Sequence, residues 1–166
     1  MVINSKSSIS SLFRYFKVPK EFSAKLSSAK IPELNPDGLP GWTALAISRE
    51  HNPKLLGKNH EDQALVRQWI EYSVAFAVYA DEVANSDKII KEINKALVAR
   101  SYIATNYLTV ADLLLFFILH STIASWSFHE KELYQNVSRW FDHLQLEPSI
   151  RQTRPIIPFS KTLLYS

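Results

Sequence analysis

Five histidines, His51, His60, His120, His129 and His143, are the residues of this 166-residue chain best suited to metal binding or proton transfer, and their spacing serves neither. No two stand at i, i+4 with a third ligand near, as a zinc site on a helix requires. The absence of cysteine removes disulfides, thiolate metal sites and a cysteine nucleophile together. Three glycines leave little from which to build a phosphate-cradling loop. Asp81-Glu82 and Glu130/Glu132 read as solvated helix ends rather than as an acid–base pair. Ser5, Ser7 and Ser8 read as cap and tail residues, His143 as a surface residue one turn from Arg139, and His120, closing the longest apolar run, as a satisfied core histidine.

Thr109-Val-Ala-Asp112 has the spacing of a capping box. The Thr109 hydroxyl would accept from the Asp112 N–H while the Asp112 carboxylate reaches back to the Thr109 N–H. This satisfies two donors at a helix end where water has no access. Asp112 is therefore expected to be structural, not an acid or base.

The elements that would hold these residues are mostly helical. Apolar residues recur with helical period over 8–16, 42–50, 61–80, 87–98 and 109–124, and a further helix is expected over 137–145, capped by Asn136 or Ser138 and stopped near Pro148. Ser7 or Ser8 would cap the first of these. On 61–80, Leu65, Trp69, Ile70, Ser73, Phe76 and Ala77 share one face, and 109–124 is apolar all round, so it should be buried on all sides. Two short alternating segments, 22–26 and 30–34, read as a hairpin with Pro32 in its second strand, followed by an Asn35-Pro36-Asp37-Gly38 turn. The tail after Pro155 should pack back on the bundle. The expected organisation is a small subdomain over 1–52, a linker over 53–62 and a helical domain over 63–166.

At 46% hydrophobic and 12% aromatic, the chain can bury a sizeable core. No stretch of about 20 apolar residues exists to span a membrane, and residues 1–10 lack the apolar centre of a secretory signal. Residues 1–58 hold nine Lys/Arg against four Asp/Glu, a balance of +5, and residues 59–166 hold ten against twelve, a balance of −2. No basic cluster flanked by aromatics is legible, so direct nucleic-acid contact is not expected, although a weak tRNA-binding module stays open as a reading.

The stretch from Tyr102 through Leu115, with Asn136–His143 and Pro148–Arg151 after it, resembles the core of glutathione-transferase-like proteins. A closer resemblance follows from Leu55-Leu-Gly57, Gln68–Tyr72, Leu108–Phe116, Leu119-His120, Glu130-Lys131, Tyr134–Phe141 and Ile150–Gln152. These are similar to the elongation factor 1 epsilon family, which comprises synthetase-complex interacting multifunctional proteins. The resemblance implies a mostly α, glutathione-transferase-like fold with a reduced thioredoxin-like N-terminal subdomain and an all-helical C-terminal one. It implies a non-catalytic scaffold of the multi-tRNA synthetase complex, without cofactor or metal. Such a scaffold bridges the GST-like domains of methionyl-tRNA synthetase and glutamyl-prolyl-tRNA synthetase, in the cytoplasm and also the nucleus.

The same resemblance bears on catalysis. A glutathione transferase presents a Tyr, Ser or Cys at its first strand–helix junction to stabilise a thiolate, and no such turn can be placed ahead of the linker. Pro32 matches the position of the fold's cis-proline and is carried over as a fold feature only. Trp42 stands where the family has an acidic residue, which counts against glutathione binding, while Thr43 beside it could still hold an anion; a divergent glutathione transferase is the other open reading. GST-like domains pair along the helices that here cover 42–50 and 61–80, which implies partner contacts at Arg49, Leu65, Gln68, Trp69 and Tyr72. Arg139 matches an arginine of a second interface.

Overall fold

The computed structural model describes residues 3–18 and 40–159, with the backbone alone described at 3–7, 9, 40–43, 83 and 84. In chain order the helices are α1 (Ile3–Tyr15), α2 (Pro40–His51), α3 (His60–Ala75), α4 (Val83–Ala96), α5 (Val110–Ala124), α6 (Phe128–Leu133), α7 (Gln135–Gln145) and α8 (Pro148–Arg151). Single 3-10 turns lie at Pro53–Leu56 and Ala77–Tyr79. There is no strand among the described residues. The hairpin expected over 22–26 and 30–34, with Pro32, lies outside them.

Twelve of the fifteen residues of α5 are buried, which makes this helix the axis of the molecule. α1, α2 and α3 pack against it, and Phe116 stacks on Phe141 of α7 with ring centroids 4.4 Å apart. Each apolar side chain buried here contributes about 1.5–3 kcal/mol against exposure, so the uniformly apolar helix is held wherever neighbours cover it on all sides.

Several boundaries differ from the pattern in the sequence. α1 opens at Ile3, so Ser7 and Ser8 lie within it and neither caps it. Ser8 is buried, one turn before the equally buried Leu12, and packing of that face carries the helix through a serine-rich stretch. Pro40, free of any need for an N–H donor, opens α2 two residues early. α3 stops at Ala75 because Phe76 leaves helical geometry (φ −127°, ψ −51°), and the chain continues as a 3-10 turn.

The start of α7 is corrected too. It begins at Gln135, so Asn136 and Ser138 are internal and do not cap it. The cap comes from another helix: Asn94 Oδ1 on α4 accepts from the N–H groups of Asn136 (3.0 Å) and Val137 (3.2 Å). The Ser138 hydroxyl instead donates to the Lys131 carbonyl of α6 at 2.8 Å.

The expected linker is a built joint. Gly57 holds φ +114°, and a Cβ there would lie 2.8 Å from both Asp62 Cβ and Gln63 N. Asn59 caps α3 by accepting from the Asp62 N–H at 2.8 Å. The Tyr107 hydroxyl accepts from the Lys58 N–H (2.8 Å) and donates to Asp62 Oδ2 (2.6 Å), tying the joint to the segment before α5. The tail folds back as expected as far as it is described: buried Gln145 brackets Ile157, its Nε2 donating to Ile157 O at 2.8 Å and its Oε1 accepting from Ile157 N at 2.9 Å.

Candidate docking surfaces

The start of α5 fixes α7, the helix that carries Arg139. Thr109 and Asp112 are fully buried in capping-box geometry. Asp112 Oδ2 accepts from Thr109 N (3.0 Å) and from the Thr109 hydroxyl (2.7 Å). Oδ1 accepts from Ile103 N (2.8 Å) and from the Trp140 indole N–H (3.0 Å). Burial pushes the Asp112 carboxyl up from its ordinary range, and these four donors pull the other way. With every acceptor direction used inside the core, the group is a structural node, in keeping with its reading from sequence. The bonds to Ile103 and Trp140 were not read from the sequence. The signal was there in outline: a capping box engages one carboxylate oxygen, and a buried indole needs an acceptor.

The first surface runs along α3. Val66, Ile70 and Ser73 form its buried line, which Ala77 continues past the helix end. Leu65, Trp69 and Tyr72 lie beside that line, half-buried and packed on the core's edge, while Gln68 is exposed. Phe76, expected to share a face with Ile70 and Ser73, is 57% exposed, because the helix ends at Ala75 and turns its ring outward. The rings form a continuous ladder: Trp69 meets Tyr72 edge-on at 5.3 Å, and Tyr72 meets Phe76 at 5.4 Å. Tyr79 follows at 44% exposure. The Tyr72 hydroxyl donates to Glu92 Oε2 on α4 at 2.7 Å. Burial first, and this carboxylate second, raise its pKa well above the ordinary phenol value.

Arg49 is exposed on α2 and lines a groove of about 470 Å³ between α2 and α3, together with Leu45, Glu50, Leu56, Gln63 and Arg67. A shallower depression beside it is lined by Gln68, Arg67 and Glu71. The structure thus brings Arg49, Leu65, Gln68, Trp69 and Tyr72 onto the adjoining faces of two neighbouring helices. Phe76 and Tyr79, which sequence reasoning did not place in this set, extend it.

Arg139 lies elsewhere, exposed on α7. Its Nη2 donates to the carbonyls of Leu97 (2.9 Å) and Arg100 (3.0 Å), closing the C-terminal end of α4, where unpaired carbonyls gather. One corner of the guanidinium is thereby fixed and its outer edge is set in place. Nearby, Tyr102 bonds His143 Nε2 at 3.1 Å, and Val98 is 63% exposed.

Two further elements escaped the sequence reading. Ser127 and Glu130 form a second capping box that opens α6, so Glu130, at a solvated helix end as expected, also caps that helix. The Ser127 hydroxyl and backbone bonds hold the Glu130 carboxyl below its usual range. His120 is half-buried against Phe116 and Phe141, but its Nε2 has no hydrogen-bond partner among the described residues, so it is not satisfied as expected. Burial, then the charge of Arg154, push its pKa down, and a bond to the Pro155 backbone opposes them. Among the described residues no group of His, Asp or Glu is placed to hold a metal.

Known proteins resemble this chain in sequence and in fold. Residues 62–148 match the model of the Arc1p_N_like family, described as nuclear-export cofactor Arc1p. Eukaryotic translation elongation factor 1 epsilon-1 of Cricetulus griseus is 37% identical over 143 residues, 82% of each chain. The chain belongs to the elongation factor 1 epsilon-1 family. The tRNA-aminoacylation cofactor arc1 of Schizosaccharomyces pombe is 28% identical to this family member over 80% of its chain and 28% of the cofactor's own length. The bifunctional glutamate/proline--tRNA ligase of Mus musculus is 30% identical over 99 residues, 58% of this chain and 6% of the ligase. The fold is that of glutathione transferases. The GST-like domain of elongation factor 1-gamma from Saccharomyces cerevisiae superposes with a TM-score of 0.65 over 96% of this chain and 93% of that domain, at 15% identity. Glutathione S-transferase unclassified 2 from Bombyx mori does so with 0.67 over 90% and 88%, at 14% identity.

Proposed function

We propose that the protein is a non-catalytic subunit that associates with aminoacyl-tRNA synthetases and joins two of their GST-like domains, those of methionyl-tRNA synthetase and glutamyl-prolyl-tRNA synthetase. The observation that carries this reading is the kind of relative the chain has. One is named a tRNA-aminoacylation cofactor, and in the glutamate/proline--tRNA ligase the likeness is confined to 6% of the length, the scale of an appended module rather than of a catalytic body. GST-like domains associate with one another, and this chain has the fold to do so.

Two surfaces serve the two partners. The α2–α3 face, with Arg49, Leu65, Gln68, Trp69 and Tyr72, takes one. It has the aromatic and arginine content that dominates interface energetics. Arg139 on α7 takes the other, its guanidinium held by two carbonyls so that little freedom is lost on docking. The work is set in the cytoplasm and in the nucleus, which imaging of a tagged chain checks.

Calorimetric titration of the full chain with each synthetase domain, alone and then in the presence of the other, tests the reading. Saturable binding of each, with neither displacing the other, is the expected result. Competition between the two for one face would refute the bridge. Retention on immobilised glutathione, or conjugation of a standard electrophile, would return the chain to the enzymes.

A further inference from the structure

The corner where α1 meets the segment after α8 has no part in either docking surface. α8 ends in a β-turn closed by Arg154 N donating to Arg151 O at 3.2 Å. Gln152, the second residue of this turn, has φ 59° and ψ −126°, the type II′ geometry that glycine favours. The turn aims two side chains at one residue of α1. Gln152 Nε2 donates to Ser11 O and Arg154 Nη2 donates to Ser11 Oγ, each at 2.7 Å. The Arg154 guanidinium also lies over the Phe117 ring of α5, 4.7 Å from its centroid.

The end of α1 repeats the anomaly. Val18 N bonds Phe13 O at 3.0 Å and Lys17 N bonds Arg14 O at 3.2 Å, the pattern of a Schellman stop, and the residue at the left-handed position is Lys17 (φ 53°) where glycine is usual. Lys17 and Gln152 are the two non-glycine residues with positive φ among the described residues, and both lie at this corner.

Charge accumulates here beside a carboxylate, Glu147, whose charge acts on Tyr15 of α1. Arg14 follows Ser11 by three residues on α1, and so faces the same side as the docked Arg154. Arg14 and Lys17 are exposed and Arg154 is half-buried, and no carboxylate pairs with any of them among the described residues. Burial and the charge of Arg14 both push the Arg154 pKa down. The negative end of the α1 dipole accounts for a cation at Arg14 or Lys17. It does not account for a third, brought from far along the chain and half-buried beside them.

We propose that this corner binds the phosphodiester backbone of RNA, with Arg154, Arg14 and Lys17 as a row of phosphate contacts. Arg14 lies one turn after the Ser11 anchor of Arg154, a rise of roughly 4.5 Å along α1, and Lys17 follows just past the end of that helix. A row of cations suits a chain of repeating phosphates, whereas a single carboxylate would be served by one of them. The sequence hides the cluster because Arg154 and its aromatic support Phe117 join α1 only in the fold.

Anisotropy of labelled, unfractionated tRNA with the full chain at graded salt tests the proposal. Three contacts predict a slope of log affinity against log salt of about −2 to −3. Lys17→Gly and Arg14→Gln should each weaken binding and flatten the slope by about 1. Lys17→Gly relaxes a left-handed residue, so its lost binding would not reflect lost folding. Absence of tRNA binding at low salt, or variants with the parent's affinity and slope, would overturn the proposal. Polyglutamate displacing tRNA at equal charge concentration would overturn it in favour of an acidic protein segment. Inorganic phosphate competing as strongly per phosphate as RNA would overturn it in favour of the free ion.

Discussion

The Trp140 indole gives its proton to Asp112 Oδ1 across 3.0 Å, fastening α7 to the first turn of α5. Asp112 also closes its own helix and holds the Ile103 N–H, so one buried carboxylate sets how the helix carrying Arg139 sits on the core. Trp140→Phe removes this donor and leaves a cavity where the second indole ring lay, and is expected to cost about 1–3 kcal/mol or more. Asp112→Asn places an amide N–H among buried donors and should cost more, on the order of 3 kcal/mol or above. Urea unfolding with the denaturant slope compared across variants measures both. Equal stability of Asp112→Asn and the parent would contradict the node.

The legible part of this architecture was local. Thr109 and Asp112 stand three residues apart, and the apolar run after them admits only burial, so the capping box and the axial helix follow from adjacent residues. What was not legible is supplied from a distance. Asn94 caps α7 from another helix, and Ile103 and Trp140 reach Asp112 from two sides. Phe76 carries the period of the buried face of α3 and is turned out only because the backbone leaves the helix there. The α3 positions were readable as a surface set because they share one stripe. Arg139 was readable as exposed, but its two carbonyl partners at the end of α4 were not, because they lie about forty positions away.

Two phenol–carboxylate bonds bear on α4: Tyr72 to Glu92 and Tyr134 to Asp87. Burial first and the carboxylate next raise both phenols, Tyr134 to about 12. Their folded pKa values exceed the unfolded value of about 10. The stability they contribute is therefore fully present below about pH 10 and is lost as pH rises through the folded values. Chemical denaturation midpoints are expected to hold steady up to about pH 9 and to fall from about 10 upward, with a shallower fall in Tyr72→Phe/Tyr134→Phe. Identical alkaline slopes in parent and double variant would contradict the assignment.

Gly57 is required at the joint before α3. An alanine there meets Asp62 Cβ and Gln63 N at 2.8 Å and must adopt φ +114°. Gly57→Ala should lower stability by about 1–3 kcal/mol and disturb the joint locally. Thermal unfolding measures the first, and amide exchange over residues 58–63 the second. A neutral Gly57→Ala would show that the joint relaxes.

Phe76 is 57% exposed, so Phe76→Ser should leave stability within about 0.5 kcal/mol. If the aromatic ladder on α3 is a docking face, the same change should weaken one synthetase domain by about tenfold, the roughly 1.4 kcal/mol of a modest interface contact, and leave the other untouched. Titration of Phe76→Ser with each domain decides this, and undiminished affinity for both would remove Phe76 from the interface.

The bridge itself is tested most directly by the mass of the complex formed when the full chain is mixed with both GST-like synthetase domains, read by light scattering after size exclusion. The account predicts a three-component complex for the parent chain. For Arg139→Ala it predicts a two-component complex that has lost one domain and kept the other, with helical content unchanged. A three-component complex that persists in Arg139→Ala at unchanged affinity, or a parent chain that binds neither domain, would contradict it.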